Sequence, residues 1–344
     1  MLAQMQSGSP AMILPQSRQT ILNVEMRATY KIGIGSRKFC IGALFEILFS
    51  REQNAQAFIG LQELERKMAK KIPYQNQKQE DFGKRFLNIC ETKSPWAVWS
   101  DFVQLVACTL SNGLGSSVPF YMDRENLYLK TISNYNKEQS AIFPELFAQL
   151  VLALEQNPEQ DFLGDVYMAL GLGSNWKGQF FTPYHVSKAM VEMMLSGMEK
   201  NIEEKGWISI NDPACGAGSM LIAARNCLNE KGFGSDCALF VAQDIDRTVA
   251  LMCFIQLSLL GCAGYVIIAD SLRHPPAGKG NSPLLLTPTP EQEVWITPAL
   301  YSNTWTARII YEHERLLLDT AAKDMKYPHE KEAANHGKGR GKNP

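Results

Sequence analysis

Asp212-Pro213-Ala214-Cys215-Gly216-Ala217-Gly218 stands between an apolar run, Trp207–Asn211, and a helix-forming run that begins after Gly218. A strand, a turn with two glycines and a helix, in that order, let backbone approach a ligand with no side chain in the way. The N-terminus of the following helix then faces that ligand. Outward from the turn the alternation continues, with a strand over Leu239–Gln243, a helix over Asp246–Leu260 and a strand over Tyr265–Ala269. The order β-α-β-α-β predicts an α/β fold with a parallel, doubly wound sheet. Beyond Asp270 the periodicity stops, so the sheet reads as truncated after its third strand.

Upstream, from about residue 38 to 170, the periodicity is helical throughout. Phe58, Leu61, Leu64, Met68 and Ile72 form one stripe, and Arg66, Lys67, Lys70 and Lys71 surround it as a solvated face near a helix C-terminus. Ser94-Pro95 predicts a helix start and Gly113 its end, with Trp96, Trp99, Val103, Val106 and Leu110 on one core-facing stripe. Asn157-Pro158 predicts another start, with Glu159 and Asp161 in the first turn and Gly171 at the stop. The resulting division is a flexible arm over 1–20, a helical domain over 21–172 and a sheet domain over 173–275. A Pro-rich segment and C-terminal helix follow over 276–322, the helix itself over Asn303–Ala322, and then a disordered basic tail over 323–344.

Composition excludes more than it identifies. The 344 residues are 45% hydrophobic and 20% charged, which rules out wholesale disorder. The formal charge of −1 is a cancellation: 17 basic against 13 acidic groups over 1–150, 11 against 19 over 151–320, and 6 against 3 over 321–344. The eight cysteines, Cys40 among them, show neither Cys-x-x-Cys spacing nor a histidine at metal-ligand distance in sequence. Reduced, buried thiols in a cytoplasmic protein are expected, and no metal. Residues 1–20 hold no apolar core of signal-peptide length. Val249–Ala269 carries no charge, but Gly261 and Gly264 split it. The helix that remains is roughly 21 Å long, too short to cross a bilayer.

Four features could carry chemistry. The Gly216/Gly218 turn is the first; where a dinucleotide-binding turn wants a third glycine stands Leu221, which argues against a pyrophosphate ligand. Asp244 ends the second strand, where a carboxylate can accept hydrogen bonds from both ribose hydroxyls, while Asp246 reads as the N-cap of the next helix. Asp270 ends the third strand at the ligand-binding edge, and reads equally well as a turn residue. Last comes Lys177-Gly178-Gln179-Phe180-Phe181-Thr182-Pro183, in which Thr182 caps and Pro183 starts a helix with the stripe Val186, Met190, Met193 and Gly197. Two aromatics before a helix N-terminus could hold a carboxylate and one face of an adenine-like ring.

Together these segments resemble the N6-adenine DNA methylase family, specifically the modification subunits of type I restriction–modification systems. The matching text is Asp161-Phe162-Leu163-Gly164-Asp165-Val166-Tyr167, then Gly178-Gln179-Phe180-Phe181-Thr182-Pro183, then the turn from Asp212 to Gly218, then Gln243-Asp244-Ile245-Asp246. More loosely, the chain is similar to methylase-like proteins of mobile elements. The resemblance implies a Rossmann-like, S-adenosylmethionine-dependent methyltransferase sheet behind a helical domain. Its cofactor-binding residues would be Phe181, Thr182, Asp212, Pro213, Cys215, Gly216, Gly218, Asp244 and Asp270. Of these, Gly216 and Gly218 would seat the cofactor and Asp244 its ribose. Asp270 would lie near the adenine amino group and Thr182 near the methionine carboxylate. Duplex DNA and a separate specificity or completing subunit are the implied partners.

The sequence departs from that pattern at the catalytic tetrad, Asn-Pro-Pro-Phe or Asn-Pro-Pro-Tyr. It offers His274-Pro275-Pro276 and Asn281-Ser282-Pro283-Leu284, neither directly after an apolar strand and neither with the aromatic that stacks on a flipped base. The catalytic residues are therefore unassigned, and the roughly 70 residues after the third strand are few for the rest of a methyltransferase and a DNA reader. Two expectations follow: an adenine-specific DNA methyltransferase, or a catalytically inactive cofactor- or DNA-binding module.

Overall fold

The computed structural model describes residues 73–90, 93–173 and 181–326, with side chains to residue 321. All of these lie in one compact unit, Lys71–Pro344. The Phe58–Ile72 stripe and its four cations, the arm over 1–20, Lys177 to Phe180 and the tail beyond 326 lie outside the described residues.

Among the described residues seven helices precede the sheet, the first five being α1 (Gln77–Leu87), α2 (Pro95–Asn112), α3 (Tyr121–Ile132), α4 (Lys137–Gln156) and α5 (Phe162–Ala169). α2 begins as Ser94-Pro95 predicts, with Ser94 Oγ accepting from the Ala97 N–H at 3.1 Å. Its two tryptophans part company. Trp99 is fully buried among Phe82, Phe86 and Tyr167, whereas Trp96, expected on the same stripe, is 47% exposed. Three positions at 3.6 residues per turn rotate the chain by about 300°, enough to carry Trp96 to the edge of the buried face. α5 starts later than Asn157-Pro158 suggests, because the Asp161 side chain caps it by accepting from the Gly164 N–H, and Asn157 instead closes a local turn onto Glu159.

After these come α6 (Tyr184–Leu195) and α7 (Glu199–Lys205), then β1 (Ile208–Asp212), α8 (Ser219–Glu230), β2 (Ala238–Asp244), α9 (Arg247–Leu259) and β3 (Ala263–Ile268). β1, β2 and β3 pair in that order and in parallel. The expected truncation after the third strand is corrected by β4 (Glu293–Ile296), which pairs antiparallel with β3. Four residues inside a Pro-rich stretch carry too little alternation to register as a strand.

Side chains alternate across the sheet. Phe240, Ala242 and Val266 face α8 and α9 in a core that is continuous with Trp99 and the other helical residues, and Trp99 Nε1 donates to Met252 Sδ at 3.4 Å. Leu239, Val241, Tyr265 and Ile267 face the other way, onto Leu284, Leu300 and Trp305. The second face is thus covered by irregular chain and by the start of α10 (Asn303–Lys326), not by crossover helices of a doubly wound sheet. β1–β2 and β2–β3 crossovers that advance in one direction with one hand leave both helices on one face.

α6 corrects another expectation. Its buried residues are Ser187, Val191 and Leu195, while Val186, Met190 and Met193 of the expected stripe are exposed, Met193 at 72%. A small serine lets α6 approach α8 closely, with Ser187 Oγ and Ser219 Oγ 2.9 Å apart. Size, more than hydropathy, selected the contact face. Among the described residues seven cysteines are free thiols, six of them buried, and no described helix is long and apolar enough to cross a membrane.

Candidate cofactor cleft

A cleft of about 800 Å³ opens at the carboxyl ends of β1 and β2, within the size range of sites for compact ligands. Its floor is the glycine turn. Gly216 has φ +56° and Gly218 φ +100°, the left-handed region that side chains resist. A Cβ on Gly218 would come within 2.9 Å of Cys253 Sγ, and one on Gly216 within 3.3 Å of the Phe181 ring. Glycine at 216 keeps the gap to the Phe181 wall of the cleft, and glycine at 218 lets the turn pack directly on buried Cys253 of α9.

The turn is held from both strands. Asp212 Oδ1 accepts from the Ala214 N–H at 3.1 Å, and the Cys215 N–H donates to the Gln243 carbonyl at 2.9 Å. Asp244 Oδ2 accepts from the Gly216 N–H at 3.0 Å and its Oδ1 from the Asp246 N–H at 2.9 Å. Each oxygen keeps further lone-pair capacity, since an ionised carboxylate has about four acceptor sites. Asp246 caps α9 through the Thr248 and Val249 N–H groups, as the sequence predicts. Burial raises the carboxyls of Asp244 and Asp212 above the usual range, and the neighbouring Asp244 charge raises Asp212 further.

Phe181, Thr182, Asp212, Cys215, Gly216 and Asp244 all line the cleft. Gly218 lies under it as the N-cap of α8. Thr182 is not the helix cap, however: Pro183 occupies that position with no side-chain bond, and α6 starts at Tyr184. Pro213 sits in the turn away from the lining. Asp270 is away as well: its Oδ1 accepts from the Leu272 N–H at 3.0 Å and the Arg273 N–H at 3.4 Å, and its carboxylate pairs with Arg273. Neither His274-Pro275-Pro276 nor Asn281-Ser282-Pro283-Leu284 lines the cleft, and Leu284 is buried against the far face of the sheet.

Sequence reasoning missed the opposite wall. Trp96 and Ser100 of α2 and Asp161 before α5 line the cleft together with Ile245, Arg247 and Thr248. Ser100 Oγ and Thr248 Oγ1 lie 3.1 Å apart, and Arg247 reaches Gln104 Oε1 at 2.8 Å and Glu293 at 3.0 Å. The helical segment therefore closes the site. In the sequence Trp96 continues the stripe of Trp99, Val103, Val106 and Leu110, so its place at the cleft shows only in the packed helix. Among the described residues four carboxylates, Asp161, Asp212, Asp244 and Asp246, line the cleft against one cation, Arg247, already engaged by Glu293. Such a lining favours a ligand with positive charge and hydroxyl donors.

A sequence model for N-6 DNA methylases matches residues 159–335, from the cap of α5 through the whole sheet. The chain belongs to the N-6 DNA methylase family. Membership gives it a DNA adenine methyltransferase-like function, with DNA as the substrate class. No curated protein and no solved structure matches the chain. The family generally uses S-adenosylmethionine, and the donor set here suits it: a left-handed glycine turn, a carboxylate at the end of β2 and an acidic lining for a cationic cofactor.

Proposed function

We propose that the chain binds S-adenosylmethionine in this cleft and serves an adenine-specific (N6) DNA methyltransferase of a restriction–modification or mobile-element system in the cytoplasm. The observation that carries the reading is the Asp244 carboxylate bonded to the Gly216 N–H at the floor of an 800 Å³ cleft. One group thereby fixes the turn and offers acceptors to a ribose. Gly216 and Gly218 would seat the cofactor, Asp244 its ribose hydroxyls, and Phe181 with Thr182 the amino-acid end. Asp212 and Cys215 support the turn from beneath. The bound cofactor supplies an electrophilic methyl group, and the chain contributes position and electrostatics. Cofactor charge is complemented by Asp212 and Asp244, which burial keeps from solvent screening.

A specificity or completing subunit is part of this proposal, because no Asn-Pro-Pro-aromatic segment lines the cleft. That same observation favours the second reading, a catalytically inactive module that binds cofactor or DNA. Labelled methyl transfer to adenine in duplex DNA, with and without the proteins encoded beside it, decides between them. Transfer in either setting supports the enzyme. Cofactor binding without transfer in both supports the module.

A further inference from the structure

Asp161 is 2% exposed and lines the cleft from its helical wall. As an N-cap it uses one oxygen alone: Oδ1 accepts from the Gly164 N–H at 2.9 Å and from Gln256 Nε2 at 2.7 Å. No described residue donates to Oδ2. Gly164 makes room for that oxygen, since a Cβ there would overlap it. Gln256, itself fully buried, also donates to the Ala217 carbonyl at 2.9 Å and accepts from the Leu163 N–H at 3.1 Å. Asp161 is thereby fixed relative to the glycine turn, as Asp244 is through Gly216.

The charge beside Asp161 is like-signed, Asp165, and burial pushes its carboxyl up to about 7. A buried carboxylate without a cation is costly, and an asparagine would cap the helix equally well. A cationic donor brought in by a ligand would satisfy the spare oxygen.

We propose that Asp161 is the specificity residue for the ammonium group of a nucleoside cofactor that bears an amino acid, on the Ala217 side of the turn. The inference rests on the cofactor reading above. Of the charged groups on S-adenosylmethionine, the sulfonium has no N–H and the carboxylate is repelled, so the ammonium alone can donate to Oδ2.

Calorimetric titration of the full chain with S-adenosylmethionine and with 5′-methylthioadenosine, which lacks the amino acid, tests it. Asp161→Asn should weaken S-adenosylmethionine about tenfold or more, the size of a lost charge-assisted hydrogen bond, and 5′-methylthioadenosine less than about twofold. Gly164→Ala, which displaces Oδ2 and leaves the charge in place, should give the same selective loss. Equal losses for both ligands, or unchanged S-adenosylmethionine affinity in folded variants, would overturn the assignment. If 5′-methylthioadenosine binds the native chain as tightly as S-adenosylmethionine, the ammonium assignment fails and the nucleoside reading stands. If neither ligand binds the folded native chain, the cofactor reading itself fails.

Discussion

Asp244 and Asp270 occupy equivalent places, each closing a parallel strand at the carboxyl edge of the sheet, yet they do different work. Asp244 is followed by Ile245-Asp246, and Asp246 takes over the capping of α9. Asp244 closes its own turn through Oδ1, which accepts from the Asp246 N–H, and its Oδ2 reaches across the strand boundary to the Gly216 N–H. Asp270 is followed by Ser271-Leu272-Arg273, whose N–H groups and guanidinium fold back on its own carboxylate. Both acids close a local turn through Oδ1. They differ in the second oxygen, which meets the backbone of the glycine turn in Asp244 and the Arg273 guanidinium in Asp270.

Substitutions at the floor of the cleft should break that contrast most severely. Gly218→Leu meets Cys253 and adopts φ +100°. It should cost about 1–2 kcal/mol for the left-handed backbone and about 1–3 kcal/mol for overpacking, with a lowered Tm and no detectable cofactor binding by calorimetry. Asp244→Ala removes an acceptor of backbone and ribose together, so affinity should fall about 30-fold, equivalent to about 2 kcal/mol. Trp96→Ala should lower affinity about two- to tenfold through lost stacking and leave the Tm nearly unchanged. Trp99→Ala provides the contrast within α2, destabilising by about 3–5 kcal/mol because that ring is wholly buried. Asp270→Ala should change cofactor affinity by less than about twofold, since its bonds close a turn outside the cleft. An Asp270 loss matching that of Asp244 would dissolve the distinction.

Asp161 adds a pH signature. Its carboxyl rests near 7 when folded against about 3.8 in the unfolded chain. The native state thus holds a proton that the unfolded state has lost between those values, and stability falls as pH rises from about 4 to about 7. In thermal melts Asp161→Asn should flatten this slope and raise the Tm above pH 7, while weakening S-adenosylmethionine. A lower Tm at pH 8 would refute the buried-charge account.

Much of the sheet half was legible because its signals are local. Strand and helix runs from Ile208 to Ile268 fell within one or two residues of their expected bounds, and the Asp246 cap and the left-handed Gly218 follow from residue type. What escaped depends on packing between segments. β4 is too short to show alternation, α6 chose its contact face through Ser187, and Trp96 was separated from Trp99 by helix phase. The cleft's second wall was hidden for the same reason, since Trp96, Ser100 and Asp161 lie 83 to 152 positions from Asp244 and Thr248. Asp161 was visible in the family-like segment but read as a helix-start acid, because the sequence does not record that Gln256 ties it to the turn.

The most direct measurement is calorimetric titration of S-adenosylmethionine into the native chain, Asp244→Ala and Asp270→Ala, each first shown to be folded by its melting transition. Saturable binding to the native chain, near-native binding to Asp270→Ala and a loss of about 30-fold in Asp244→Ala are expected. A folded native chain that binds no S-adenosylmethionine, or two variants that lose affinity equally, would contradict it.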